Sequence, residues 1–325
     1  MTLRQNLLVA TLVLTGCGQM TQEERFRSGL PTQEMVEVKS PGARGQAAGE
    51  VSAQGKQNET SDLYKLTRGA VTTVNGGTLA VLGLVQGVTK HTPTTVSEDT
   101  AVWGPHSEAL ARNAWRLTVK RTAENTYTYA LAAKAKEAAD SEFVDVITGT
   151  QKAAVDASGE VVEGYGQGEF TLNWDKLKKL PENDGNDGSL TVKYARPDAT
   201  SAVTVDAQFI QVKDEANPDR RVDARYAYSS LPGQGGQFDF KQLQNAVGSS
   251  TKQETLTIKS RWLETGAGRS DVKVSGGDLA TEATLNECWN TSFASRYAKY
   301  SWAPSEGYGS EANDCAFPSA VYSSL

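Results

Sequence analysis

Apolar and polar residues alternate with a period of two in run after run between Thr100 and Ser275. Trp115, Leu117 and Val119 alternate with Arg116, Thr118 and Lys120, and Tyr127, Tyr129 and Leu131 alternate with Thr128 and Ala130. Successive side chains of a strand point to opposite faces, so each run has one face to bury and one to wet. Further strand-like runs cover residues 143–151, 168–174, 189–194, 202–212, 221–229, 237–240, 254–263 and 270–275. Turn-forming clusters separate them, among them Ala-Ser-Gly at 157–159, Arg-Pro-Asp at 196–198 and Pro-Gly-Gln-Gly-Gly at 232–236. Strands joined by short turns, with no long helix between them, predict a mainly β fold built as an antiparallel meander. Two short helical inserts are expected at 175–180 and 241–247. The two strand-then-helix units resemble each other, as an internal duplication would.

Upstream of the meander the period changes. Asn58, Thr60 and Ser61 offer N-cap oxygens. Apolar or small residues then recur at Leu63, Leu66, Ala70, Val74, Gly77, Val81, Leu84 or Val85, and Val88. Steps of three and four predict a one-faced helix. Glycines at 69, 76, 77, 83 and 87 oppose it, each costing roughly 0.8–1 kcal/mol against Ala, and residues 71–78 alternatively read as a hairpin. At the other end, residues 281–300 return to helical spacing. Trp289, Phe293, Tyr297 and Tyr300 fall at steps of four, four and three and form an aromatic stripe. This helix either caps the apolar face of the sheet or turns its aromatics toward a glycan or lipid.

The first sixteen residues hold one cation, Arg4, ahead of an apolar run at 7–14. The run is shorter than the about 20 residues of a membrane span and has the order of a secretory signal. It ends in Leu14-Thr-Gly-Cys17, which resembles a bacterial lipobox. The resemblance implies cleavage before Cys17, diacylglyceryl transfer to its thiol and acylation of the new amine with a fatty acid such as palmitate. Several acyl chains at one residue anchor stably where one binds only marginally. Gly18, where an aspartate would mark inner-membrane retention, favours the outer membrane of the cell envelope. Residues 17–60 read as a flexible tether, apart from a short strand signal at 34–39. With Cys17 committed to lipid, Cys288 and Cys315 form the even pair that an exported protein ordinarily oxidises to a disulfide. Such a bridge is worth about 2–4 kcal/mol.

Several chemistries lack their residues. With 33 Lys+Arg against 39 Asp+Glu the net charge is −6, unlike a binder of nucleic-acid backbone. His91 and His106 are the two histidines, and no His-Glu-x-x-His, P-loop or Gly-x-Ser-x-Gly occurs. Ser249-Ser-Thr-Lys252 matches Ser-x-x-Lys without its companion motifs. Asn183-Asp-Gly-Asn-Asp-Gly188 departs from a calcium loop at Gly185 and reads as a turn. The expectation is therefore no enzyme, no cofactor, no metal and no nucleic-acid partner.

Lipobox, tether, long helix, meander and C-terminal helix together resemble the half-barrels of bacterial lipoprotein carriers and lipid-binding lipoproteins, the LolA/LolB-type group. The likeness covers residues 63–275 and concerns element order, so no functional residue is carried over. It implies a single domain over 61–325. In it the sheet is curved into a half-barrel, packed by the N-terminal helix and a disulfide-stapled C-terminal helix. Residues 262–272, 275–278 and the two cysteine segments also look like uncharacterised bacterial lipoproteins. Two functions follow: a concave face that binds a lipid, acyl chain or other hydrophobic ligand, or a filled core in a structural component that meets other envelope proteins. Cys17→Ser is expected to abolish metabolic labelling with palmitate, and persistent labelling refutes the lipobox.

Overall fold

A computed structural model of the chain describes residues 20–42, 55–213, 219–244 and 252–325. The signal segment, Cys17 and part of the expected tether lie outside the described residues. The helices are α1 (Gln22–Arg27), α2 (Gln33–Val36), α3 (Asp62–Thr89), α4 (Trp174–Leu177) and α5 (Glu311–Asp314). The strands open with β1 (Thr95–Val96), β2 (Thr100–His106), β3 (Asn113–Ala123), β4 (Thr126–Ala135), β5 (Val144–Val155), β6 (Val161–Asn173) and β7 (Ser189–Arg196). They continue as β8 (Val203–Lys213), β9 (Arg221–Leu231), β10 (Gly235–Gln244), β11 (Glu254–Trp262), β12 (Gly268–Gly276), β13 (Ala283–Trp289) and β14 (Ser295–Tyr300).

All fourteen strands form one sheet in chain order, each antiparallel to the next. This is the expected meander. Among the described residues β1 and β14 do not pair, so the sheet is not closed into a barrel. Register carries the alternation straight across it. Leu117, Leu131, Ile147, Leu172, Leu190 and Phe209 form one buried inward row, each paired with the next. Thr118, Ala130, Thr148, Thr171 and Thr191 form the matching outward row.

α3 fills the inward face. Its N-terminus meets β13 through Leu63 N–H, which donates to the Glu287 carboxylate at 2.8 Å. Its middle lies over β7 and β8, and its C-terminal half reaches β2 and β3. Eleven strand spacings of about 4.8 Å would set β2 and β13 about 53 Å apart in a flat sheet. A helix of 28 residues is about 42 Å long, so the sheet curls around it as a half-barrel. Val71, Val74, Val81, Leu82, Val85 and Val88 are buried on the sheet side. Six such side chains contribute roughly 9–18 kcal/mol before chain entropy is subtracted. Ser61 caps the helix by accepting from Tyr64 N–H at 3.1 Å, and the hairpin reading of 71–78 does not hold.

Four expectations are corrected. Residues 20–42, read as tether, are folded: Thr21 and Glu24 form a capping box on α1, and Phe26, Leu30, Met35, Val36 and Val38 enter the core. The strand signal at 34–39 falls on α2 and an extended Val38. The Val38 amide and carbonyl exchange hydrogen bonds of 2.9 and 2.8 Å with the Asn75 side chain of α3. These few apolar residues sit among polar neighbours without a usable period, so only the surface they meet shows their role. Residues 281–300 form the β13–β14 hairpin instead of a helix. Pairing with β12 extends the ladder, and Asn290 Oδ1 accepts from Ser292 and Ala294 N–H at 3.0 Å to close the turn. Residues 241–244 continue β10, while the rest of that expected helix lies outside the described residues; the 175–180 insert is the short α4.

The Cys288–Cys315 disulfide is present, with its Cα atoms 5.3 Å apart. It fastens the C-terminal tail to the outer face of the sheet, where a cap on the inner, apolar face was expected. Under the tail, Arg269 is fully buried and donates to Asp271 at 2.7 Å and to the Phe317 carbonyl at 3.0 Å. Arg261 donates to Asp271 at 3.0 Å, as does the Val321 amide. A buried charge is tolerated when paired and hydrogen-bonded in this way.

The exposed side of α3 is lined by Gly69, Gly76, Gly83 and Gly87, where an added Cβ meets nothing within 4 Å. Gly76→Ala is expected to stabilise the protein by about 0.8–1 kcal/mol in urea denaturation. Gly77→Ala gains less, because its Cβ would lie 3.0 Å from Leu190 Cδ2.

Candidate functional site

Beside the C-terminal half of α3 the inner face leaves a wide cleft of about 760 Å³. Gly83, Leu84, Gly87 and Val88 form its helical wall, and Trp115 of β3 lies opposite. These positions remain open because α3 crosses the strands obliquely and the two glycines leave its flank without side chains. The mouth is polar: Lys90, His91, His106, Glu108, Glu182 and Asp184 surround it. An apolar wall under a polar mouth accommodates an amphipathic molecule, and the volume falls in the range of ligand sites.

Two elements bring the histidines together. The register between β2 and β3 shifts between Trp103 and His106, and the chain leaving α3 carries His91 back over the same strand. The two rings lie with centroids 4.4 Å apart. Arg27 of α1 secures this corner by donating to the carbonyls of Thr89 and His91, the latter at 3.0 Å. Lys90 lies 3.4 Å from Glu108. Asn113 donates to the Glu182 carbonyl at 2.6 Å, and the Arg112 amide donates to the Glu182 carboxylate at 3.1 Å. Burial, and then the neighbouring His91 ring, push the His106 imidazole below the usual histidine range. Its Nε2 is buried without a hydrogen-bond partner among the described residues. No group of three or more His, Cys, Asp or Glu that could hold a metal occurs among the described residues.

The aromatic stripe singled out in the sequence is not at this cleft. Trp289 is fully buried and donates to the Gly266 carbonyl at 2.9 Å. It and Phe293 close the opposite end of α3 around Tyr64, with ring centroids 5.9 and 4.4 Å away. Tyr300 is buried beside Trp302. Tyr297 pairs with Cys288 on the outer side, against the Arg269 guanidinium. Strand geometry, with a bulge at Cys288/Trp289, divides residues that a helix would have aligned. Cys17 lies outside the described residues. Leu84, Trp115 and the histidine pair are the groups that sequence reasoning missed. Their signal was slight: a histidine just after the C-terminal end of a helix, and another closing Trp103-Gly-Pro-His on the next long strand.

A second buried polar group lies at the N-terminal end of α3. Thr67, Ser260 and Ser270 share hydroxyl contacts of 2.6, 2.6 and 3.3 Å. Burial raises the Glu287 carboxyl above the usual range while it accepts from Leu63 N–H. These contacts seat the helix. No protein-family model, curated protein or solved structure matches this chain, so the geometry alone carries the reading of the site.

The lowered His106 pKa has a definite sign. Unfolded His106 takes up a proton that the folded ring gives up, so stability rises with pH through the window below about 6.5 and falls on acidification. His106→Gln is expected to shrink the difference in urea midpoint between about pH 7.5 and about pH 5. An unchanged difference would remove the histidine from that role.

Proposed function

We propose that this chain is a non-enzymatic lipoprotein of the cell envelope, anchored by a lipidated Cys17, that holds a lipid, acyl chain or other hydrophobic ligand. The observation that carries the proposal is the cleft where Leu84 of α3 and Trp115 of β3 remain partly uncovered beneath a polar mouth. α3 already occupies the concave face of the sheet, so the ligand lies along the flank of the helix. The long helix followed by an antiparallel meander is the part of the element order that supports the likeness to lipoprotein carriers, and Gly18 supports the outer membrane. A second reading, a structural or interaction component without a ligand, is favoured by the continuous core that α3 and residues 20–42 form with the sheet.

Titration of the mature protein with a fluorescent fatty acid separates the two. The carrier reading expects saturable binding that Leu84→Glu weakens about tenfold or more, the equivalent of about 1.4 kcal/mol, in protein whose circular dichroism spectrum shows that it remains folded. Absence of binding by the wild-type protein favours the filled scaffold.

A further inference from the structure

We infer that the anchor at Cys17 stands the molecule on one rim of the half-barrel, against a lipid surface, with the cleft opening on the opposite rim. The inference rests on the lipoprotein reading above. Because the meander is strictly antiparallel, alternate turns lie at the same end. The β1–β2, β3–β4, β5–β6, β7–β8, β9–β10, β11–β12 and β13–β14 turns share one rim, as the end pairs Thr100↔Lys120, Thr126↔Lys152, Gly166↔Arg196, Val203↔Ser230, Gly236↔Trp262 and Gly268↔Trp289 establish.

The described chain begins at this rim. Gln22 Nε2 donates to the Ser97 carbonyl in the β1–β2 turn at 2.6 Å, and Met20 shares a groove with Val161 and Gly164, just past the β5–β6 turn. α1 is fixed there, with Phe26 in the core and Gly29 against the Tyr127 ring. Three chain steps lead from Cys17 to Met20, and at about 3.5 Å each they reach about 10 Å. The seven-residue β2, which runs from the Ser97 turn to His106 at the cleft, is about 23 Å long, so the lipid cannot reach the other rim. The cleft mouth belongs to that other rim, between the β2–β3 connection at Ser107 and Glu108 and the β6–β7 connection at Glu182 and Asp184.

The near rim carries charge of both signs. Its seven turns hold seven carboxylates, among them Glu98, Asp156, Asp198 and Glu264, and no Lys or Arg. Lys120, Arg121 and Arg196 stand at the strand ends beside these turns, Arg121 donating to the Glu98 carbonyl at 3.0 Å, so carboxylates and cations are interspersed along the rim. The acyl chains provide the attachment. The cleft then exchanges its ligand with the aqueous side.

The full lipoprotein, expressed with its signal segment, tests this in phosphatidylethanolamine–phosphatidylglycerol vesicles that carry nitroxide headgroups. Alkylated Cys17 and the Cys288–Cys315 bridge leave no free thiol, so a fluorophore goes only to an added cysteine. The label at Ala157→Cys, in the β5–β6 turn, is expected to be quenched severalfold more than the label at Glu137→Cys on the far rim. Equal or reversed quenching in protein that floats with the vesicles overturns the orientation and leaves the anchor standing. A wild-type protein that fails to float, or a Cys17→Ser protein that floats equally well, overturns the anchor and the orientation with it.

Discussion

Burial of one side of α3 against the inward face of the meander is the contact on which the rest of this structure depends. A sheet of fourteen strands with one apolar face is insoluble until something covers it. The valine-rich side of α3 provides the cover, and its length sets how far the sheet must curl. Ser61 and Glu287 satisfy amides at the start of the helix, where unpaired donors would oppose burial. Residues 20–42 then fill the space between the helix and the near rim, with Asn75 tying Val38 to α3.

An open sheet must also protect its edges. The free edge of β14 is covered at two points: Ser295 exchanges backbone hydrogen bonds with Asn58 and Glu59, and Ala298 with Tyr308. β1 is only two residues long. The C-terminal tail guards the outer face at the same end of the sheet, where Arg269 and Asp271 would otherwise expose a buried ion pair. The disulfide keeps this cover in place, which gives Cys288 and Cys315 a clear architectural role. The continuous core and the open cleft arise from the same device. One oblique helix covers most of the apolar face and leaves part of its own glycine-lined flank unmatched at the C-terminal end.

Much of this was legible in the residues. Period-two runs separated by turn clusters determined the antiparallel meander and its wet and dry faces, because strand alternation is a local property of the backbone. Steps of three and four with a serine cap determined α3 despite its glycines, which fall mainly on the side away from the sheet. The even cysteine pair determined the staple. Tertiary structure decided the rest. Trp289, Phe293, Tyr297 and Tyr300 satisfy helical spacing, and only the ladder with β12 makes their segment a hairpin and divides them between faces. Phe26, Met35 and Val36 sit among polar residues, and only the surface they meet makes them core. His91 and His106 are fifteen positions apart, and their stacking and the cleft beside them exist only because a helix end and a strand end converge there.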